Sequence, residues 1–186
     1  MNKLAQDTAL IIIDVQVGFD APYWGQRNNP LAEGNIAQLL QVWRHSGRPI
    51  IHVQHLSTNL NSPLHPTSAG SKIKKIVEPH SGEPVVQKEV NSAFIGTDLE
   101  RMLREQNIQK LVITGLTTPH CVSTTTRMAG NLGFETYIVS DATAAFEMTG
   151  HDGKVYSAEE IHAVTLATLH QEFAEVVDTE SILASL

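Results

Sequence analysis

Residues Ala9 to Ile13 form an unbroken apolar, mostly β-branched run that stops abruptly at Asp14. A continuous rather than alternating apolar run predicts a strand covered on both faces, as in a parallel sheet. Between Asn35 and Trp43, Ile36, Leu39, Leu40 and Trp43 recur at helical spacing, and Gly47 followed by Pro49 ends that helix. The same reading predicts strands at Ile50 to Val53, at Val85-Val86 running to Lys88, at Leu111 to Ile113, at Tyr137 to Val139 and, weakly, at Val176-Val177. Helices are predicted over Asp98 to Gln106 with Thr97 as N-cap, over Cys121 to Leu132 closed by Gly133, and over Ala158 to His170 after Ser157. The stretch from Ser57 to Glu83 breaks this alternation. It is rich in Pro, Ser, Asn and Gly, and a long irregular segment within a compact domain builds a site, a lid or an interface.

Strands alternating with helices imply right-handed crossovers and an α/β fold: a three-layer α/β/α sandwich around a mostly parallel sheet of about six strands. The 186 residues fit one domain spanning the whole chain, with no repeat or linker to divide it.

Composition narrows the partners. The apolar fraction of 41% and charged fraction of 18% are those of a globular protein, and a net charge of −7 without a basic run argues against nucleic acid or an anionic membrane as partner. No apolar stretch is long enough to span a bilayer, and the N-terminus lacks a signal-peptide pattern. Cys121 is the only cysteine, so an internal disulfide, an all-cysteine zinc site and a redox pair are excluded, and a cytoplasmic location is expected. A nucleotide-binding role finds no glycine-rich phosphate loop.

In open α/β sheets, sites lie beyond the carboxyl ends of the strands. Asp14, His55, Lys88 and the segment Thr114 to Cys121 each follow a predicted strand, so chain order brings them together. Cys121 opens a predicted helix, whose N-terminus with Lys88 nearby is expected to lower the thiol pKa. Asp14 is placed to take the thiol proton and return it to a leaving group. Backbone N–H groups of the turn Gly115 to His120, with that of Cys121, can form an oxyanion hole. The plainer alternatives are a small buried hydrophobe at Cys121, a cap at Asp14 and a solvated charge at Lys88.

Several segments carry a family likeness: Ala9-Leu-Ile-Ile-Ile-Asp14-Val-Gln16, Glu83-Pro-Val-Val-Gln-Lys88, Asn91-Ser-Ala-Phe94, Gly115-Leu-Thr-Thr-Pro-His-Cys121-Val-Ser-Thr-Thr-Thr-Arg127, Gly133-Phe and Val139-Ser-Asp141-Ala-Thr143. In this order, and over nearly the whole chain, they resemble the isochorismatase-like cysteine hydrolases, which include nicotinamidases and N-carbamoylsarcosine amidases. The resemblance implies an Asp14–Lys88–Cys121 triad, a cis peptide at Leu116–Thr117, and the Thr117 and Cys121 N–H groups as the oxyanion hole. It also implies a small-molecule substrate and a homo-oligomer, dimer or tetramer. Nicotinamidases carry an Asp-x-His metal motif after the second strand; here His52-Val-Gln-His55 lacks the Asp and its paired His, leaving His55, His65 and His80. The expectation is therefore a hydrolase of a C–N bond with no metal or other cofactor, and vinyl-ether hydrolysis or a non-catalytic binding module as alternatives. Gln16, Trp24, Asn91, Phe94 and His120 are candidate substrate contacts. Tyr23, Ser92 and the segment Phe146 to His151 lie in the same loops, and Gln16 is equally placed to orient Asp14.

Overall fold

The computed structural model describes residues 3–186. Its elements in chain order are β1 (Ala9–Ile13), α1 (Ala32–Ser46), β2 (Ile50–His55), β3 (Val85–Lys88), α2 (Leu99–Glu105), β4 (Lys110–Leu116), α3 (Ser123–Asn131), β5 (Glu135–Ala144), β6 (Met148–Thr149), β7 (Val155–Tyr156), α4 (Ala158–Leu169), β8 (Glu175–Val177) and α5 (Thr179–Ala184). Six strands form one sheet in the order β3-β2-β1-β4-β5-β8, with every neighbouring pair parallel. The three-layer sandwich predicted from the apolar runs is the architecture found.

The central strand shows why its sequence is continuously apolar. Ile11 and Ile13 enter a core with Leu99 and Leu103 of α2, Ala129 of α3 and Leu169 of α4. Leu10 and Ile12 point the other way, against Ile36, Leu39 and Trp43 of α1 and Ile182 of α5. Both faces of β1 are thus covered, and all five of its residues are buried.

Four local features differ from expectation. Helix α2 begins at Leu99, one residue later than expected, with Asp98 at the N-cap position, while the Thr97 hydroxyl still accepts from the Leu99 N–H. The helix predicted from Cys121 begins earlier, as a π-helical turn over Thr118–Val122 that runs into α3. Proline tolerates the start of such a turn because its missing N–H would have no partner there. The β6–β7 hairpin and α5 follow no long apolar pattern and were not predicted. By contrast Ser157 caps α4, as the sequence indicated, with Glu160 completing a capping box.

From β1 the chain first builds outward to β2 and β3, then returns to place β4 on the other side of β1. That reversal opens a crevice at the carboxyl ends of β1 and β4, where ligands bind in doubly wound folds. Gly115 makes the approach of these two ends feasible. Its φ is +117°, and a Cβ there would lie 2.0 Å from the Ile13 carbonyl oxygen. Gly115→Ala is therefore expected to cost at least about 3 kcal/mol or to prevent folding. Chemical denaturation checks this, and an unshifted midpoint would contradict the packing described.

Candidate active site

The side chains at the carboxyl ends of the strands meet in one buried cluster. Asp14 leaves β1 in the left-handed region, at φ 51°, a conformation Asp tolerates better than most residues. Its N–H is held by the Val53 carbonyl at 3.0 Å. In the parallel pairing of β2 and β3, His55 lies beside Lys88. The Lys88 ammonium donates to Asp14 Oδ2 at 2.7 Å, to His55 Nδ1 at 3.1 Å and to Cys121 Sγ at 3.2 Å. An ammonium has three hydrogens, and here each has an acceptor. Asp14 is 0% exposed, Lys88 2% and Cys121 8%. Asn91 Oδ1 lies 3.8 Å from the sulfur, from the loop after β3.

This cluster contains one cation and two acids. If Asp14 and Cys121 were both ionised, a net negative charge would be buried without compensation. Burial accordingly pushes the Asp14 carboxyl up, against the opposing pull of Lys88. Burial, and then the charge of Asp14, push the Cys121 thiol up as well. The expected lowering of the thiol pKa is thus reversed: the protein supplies Lys88, but desolvation and the competing carboxylate outweigh it. Burial and Lys88 hold His55 below the ordinary histidine range, so it is neutral at pH 7 and able to accept from the ammonium. Asp14 Oδ1 has no hydrogen-bond partner.

The turn carrying Cys121 is anchored from behind. The Leu116–Thr117 peptide is cis. The Val122 N–H reaches back to the Thr117 carbonyl, and Thr117 Oγ1 lies 3.1 Å from His120 Nδ1. Buried Thr118 is bonded through Oγ1 to Nδ1 of His162, a buried residue of α4, at 2.9 Å. No sequence motif marked His162, because its partner is more than forty positions away.

The remaining candidates divide. Gln16 is buried with both amide hydrogens donated, to the His55 and Ser71 carbonyls, while its oxygen accepts from the His55 N–H. It clamps β2 to the irregular segment, the structural role the sequence left open beside a substrate contact. Phe94 stacks on Phe134 with centroids 6.0 Å apart and packs on the core below the loop. Trp24 donates to the Gly18 carbonyl at 2.8 Å and leans on Phe19 and Phe146. Together Tyr23, Trp24, Phe146 and Met148 wall a cavity of about 380 Å³ that reaches Thr117 and His120. A second cavity, of about 420 Å³, lies over the end of β3 between Leu56, Val90 and Ile95, with Lys88, its side chain fully buried, at its base.

The histidines do not assemble a metal centre of the nicotinamidase kind. His65 bonds Thr67, and His80 is exposed on the surface. Among the described residues, the group of ligand-bearing side chains that does converge is Asp14, His55 and Cys121. The Lys88 ammonium is bonded to all three of these residues, so a cation already sits among them where a dication would need to be.

Comparison with known proteins places this geometry. The model of the isochorismatase domain matches residues 8–181. An uncharacterized isochorismatase family protein of Bacillus subtilis, YrdC, is 52% identical over 180 residues, which are 97% of this chain and 96% of the relative. Nicotinamidase 3 of Arabidopsis thaliana is 27% identical over 96% of this chain and 88% of its own. A crystal structure of an isochorismatase-family protein from Chromobacterium violaceum superposes with a TM-score of 0.96 at 43% identity, covering 100% of this chain and 96% of that one.

The anchoring of the turn is open to test. His162→Ala leaves the buried Thr118 hydroxyl without a partner and is expected to cost about 1–3 kcal/mol of stability. Urea unfolding measures it, and wild-type stability in the variant would count against this anchor.

Proposed function

The chain belongs to the isochorismatase family, and on that premise we propose that this hydrolase cleaves a C–N bond of a small molecule, in an amide, carbamoyl or ureido group, through a thioester on Cys121. The observation that carries the reading is the Lys88 ammonium, bonded at once to Asp14 and to Cys121 in a buried cluster. Such an arrangement has no structural need for a thiol at that place, and it supplies a nucleophile, a base and a charge that holds both.

The resting state has a protonated thiol and an ionised Asp14, matching one cation with one anion. As Sγ attacks the carbonyl carbon, the thiol proton passes to Asp14, where Oδ1 has room for it. Negative charge then moves to the substrate oxygen, and the backbone N–H groups of Thr117 and Cys121 receive it. Asp14 gives its proton to the departing nitrogen as the C–N bond breaks, leaving the thioester. A water molecule, losing a proton to Asp14, adds to the thioester carbon. Collapse of that intermediate releases the acid, and the sulfur recovers the proton. Lys88 keeps one ammonium charge opposite whichever partner is anionic, so the buried charge stays balanced throughout. Neutral His55 holds the third ammonium hydrogen and so fixes where the other two point.

Amide hydrolysis is the reading that uses the thiol, and the nicotinamidase relative supports it. A vinyl-ether substrate would leave Cys121 without a task. The homo-oligomeric, cytoplasmic protein expected from the sequence belongs to the same proposal; exposed Val164 on α4 fits a subunit contact.

Cys121→Ala is expected to keep the fold, by circular dichroism, and to lower amide turnover at least about a thousandfold. Undiminished turnover would remove the covalent step. The reaction requires ionised Asp14, so kcat/KM is expected to fall as the pH drops through the carboxyl's raised pKa. The acid limb of the pH–rate profile should therefore lie above the ordinary Asp value of about 3.9. A limb at or below that value would show that Asp14 is not the base.

A further inference from the structure

Building on that hydrolase reading, we propose that the substrate is a neutral or cationic amide with an apolar body, and that the site rejects molecules bearing a carboxylate. What decides is the charge available to a ligand. The cavity beside Thr117 is walled by Tyr23, Trp24, Phe146 and Met148, and Glu147 brings an acid to its edge. The cavity beside Lys88 is walled by Leu56, Val90 and Ile95, and Glu89 brings another. Among the described residues, Lys88 is the one lysine or arginine on either lining, and its three hydrogens are already given to Asp14, His55 and Cys121.

Two other nearby cations are no freer. Arg27 and Lys74, in the loops that flank the aromatic wall, are bound to Glu33 and Asp20. Burial holds His120 below the ordinary histidine range, leaving it neutral at pH 7. A substrate carboxylate entering either cavity would lose its hydration and meet apolar walls and a like charge. Carboxylate recognition elsewhere depends on a guanidinium fork or an ammonium that is free to pair. The chain's net charge of −7 works in the same direction at longer range. An apolar ring or short chain, by contrast, gains contact with Trp24 and Phe146, and a cationic group can also face their rings and Glu147.

A matched set of primary amides tests this directly: para-methylbenzamide, para-(aminomethyl)benzamide and para-carbamoylbenzoate, with the same three charges repeated on a butanamide frame. Ammonia release from the wild-type enzyme is expected to give the neutral and cationic members kcat/KM values at least about tenfold above the anionic one. Glu147→Gln should reduce the penalty on the anion about threefold. Binding to the Cys121→Ser variant, followed by tryptophan fluorescence, separates the two claims. If no amide is cleaved but the neutral and cationic members bind in preference, the cavity reading stands and the hydrolytic one falls. A carboxylate member cleaved or bound as well as its neutral counterpart overturns the proposal, and so does the absence of binding by every member.

Discussion

The Lys88 ammonium, buried among Asp14, His55 and Cys121, is the contact on which the arrangement of this protein turns. A buried cation is costly unless each of its hydrogens finds an acceptor and its charge finds a counterion. Two strand ends and one turn supply those acceptors, a third strand end supplies the cation, and each arrives from a different part of the sequence. Asp14 comes from β1, His55 from β2, Lys88 itself from β3, and Cys121 from the turn after β4. Removing the ammonium would leave Asp14 as an uncompensated buried charge, so the chemistry of the site and the stability of the sheet's carboxyl edge are one problem.

The same contact sets the protonation of the site. With one cation for two acids, the proposed resting state has Asp14 and Cys121 sharing a single proton, held on the sulfur. In the proposed mechanism Cys121 stays a thiol until substrate arrives, which its burial favours. The same balance also explains why Lys88 and a helix start do not by themselves yield a free thiolate. Desolvation acts on both acids, while the ammonium can fully satisfy only one.

Much of this was legible before any coordinates. The unbroken run Ala9 to Ile13 could be accommodated only by a strand covered on both sides, and that requirement already implies a parallel sheet with helices on each face. Groups placed directly after such strands converge by topology, which is why Asp14, Lys88 and Cys121 could be named together. What could not be read depends on register and on contacts distant in the chain. His55 was expected in the cluster from its place after a strand, and what the register adds is its direct bond to the Lys88 ammonium. The sequence left Gln16 open between a substrate contact and a structural role, and its clamp is set by an amide that meets the backbone of both β2 and the irregular segment. An α-helical and a π-helical turn share one apolar pattern over so few residues, so the wider turn at Thr118–Val122 left no trace in the spacing. The β6–β7 hairpin is too short for alternation to declare it.

The central claim, that one proton is shared by Asp14 and Cys121 around a single ammonium, can be measured without any substrate. Because the chain has one cysteine, the ultraviolet absorbance of a thiolate near 240 nm reports Cys121 alone once tyrosine ionisation is subtracted. In the wild-type protein the thiolate signal is expected to be absent at neutral pH. In Asp14→Asn, where Lys88 has no carboxylate beside it, the thiol is expected to titrate at distinctly lower pH. A thiolate present at neutral pH in the wild type, or an Asp14→Asn titration that stays in place or moves upward, would contradict the account.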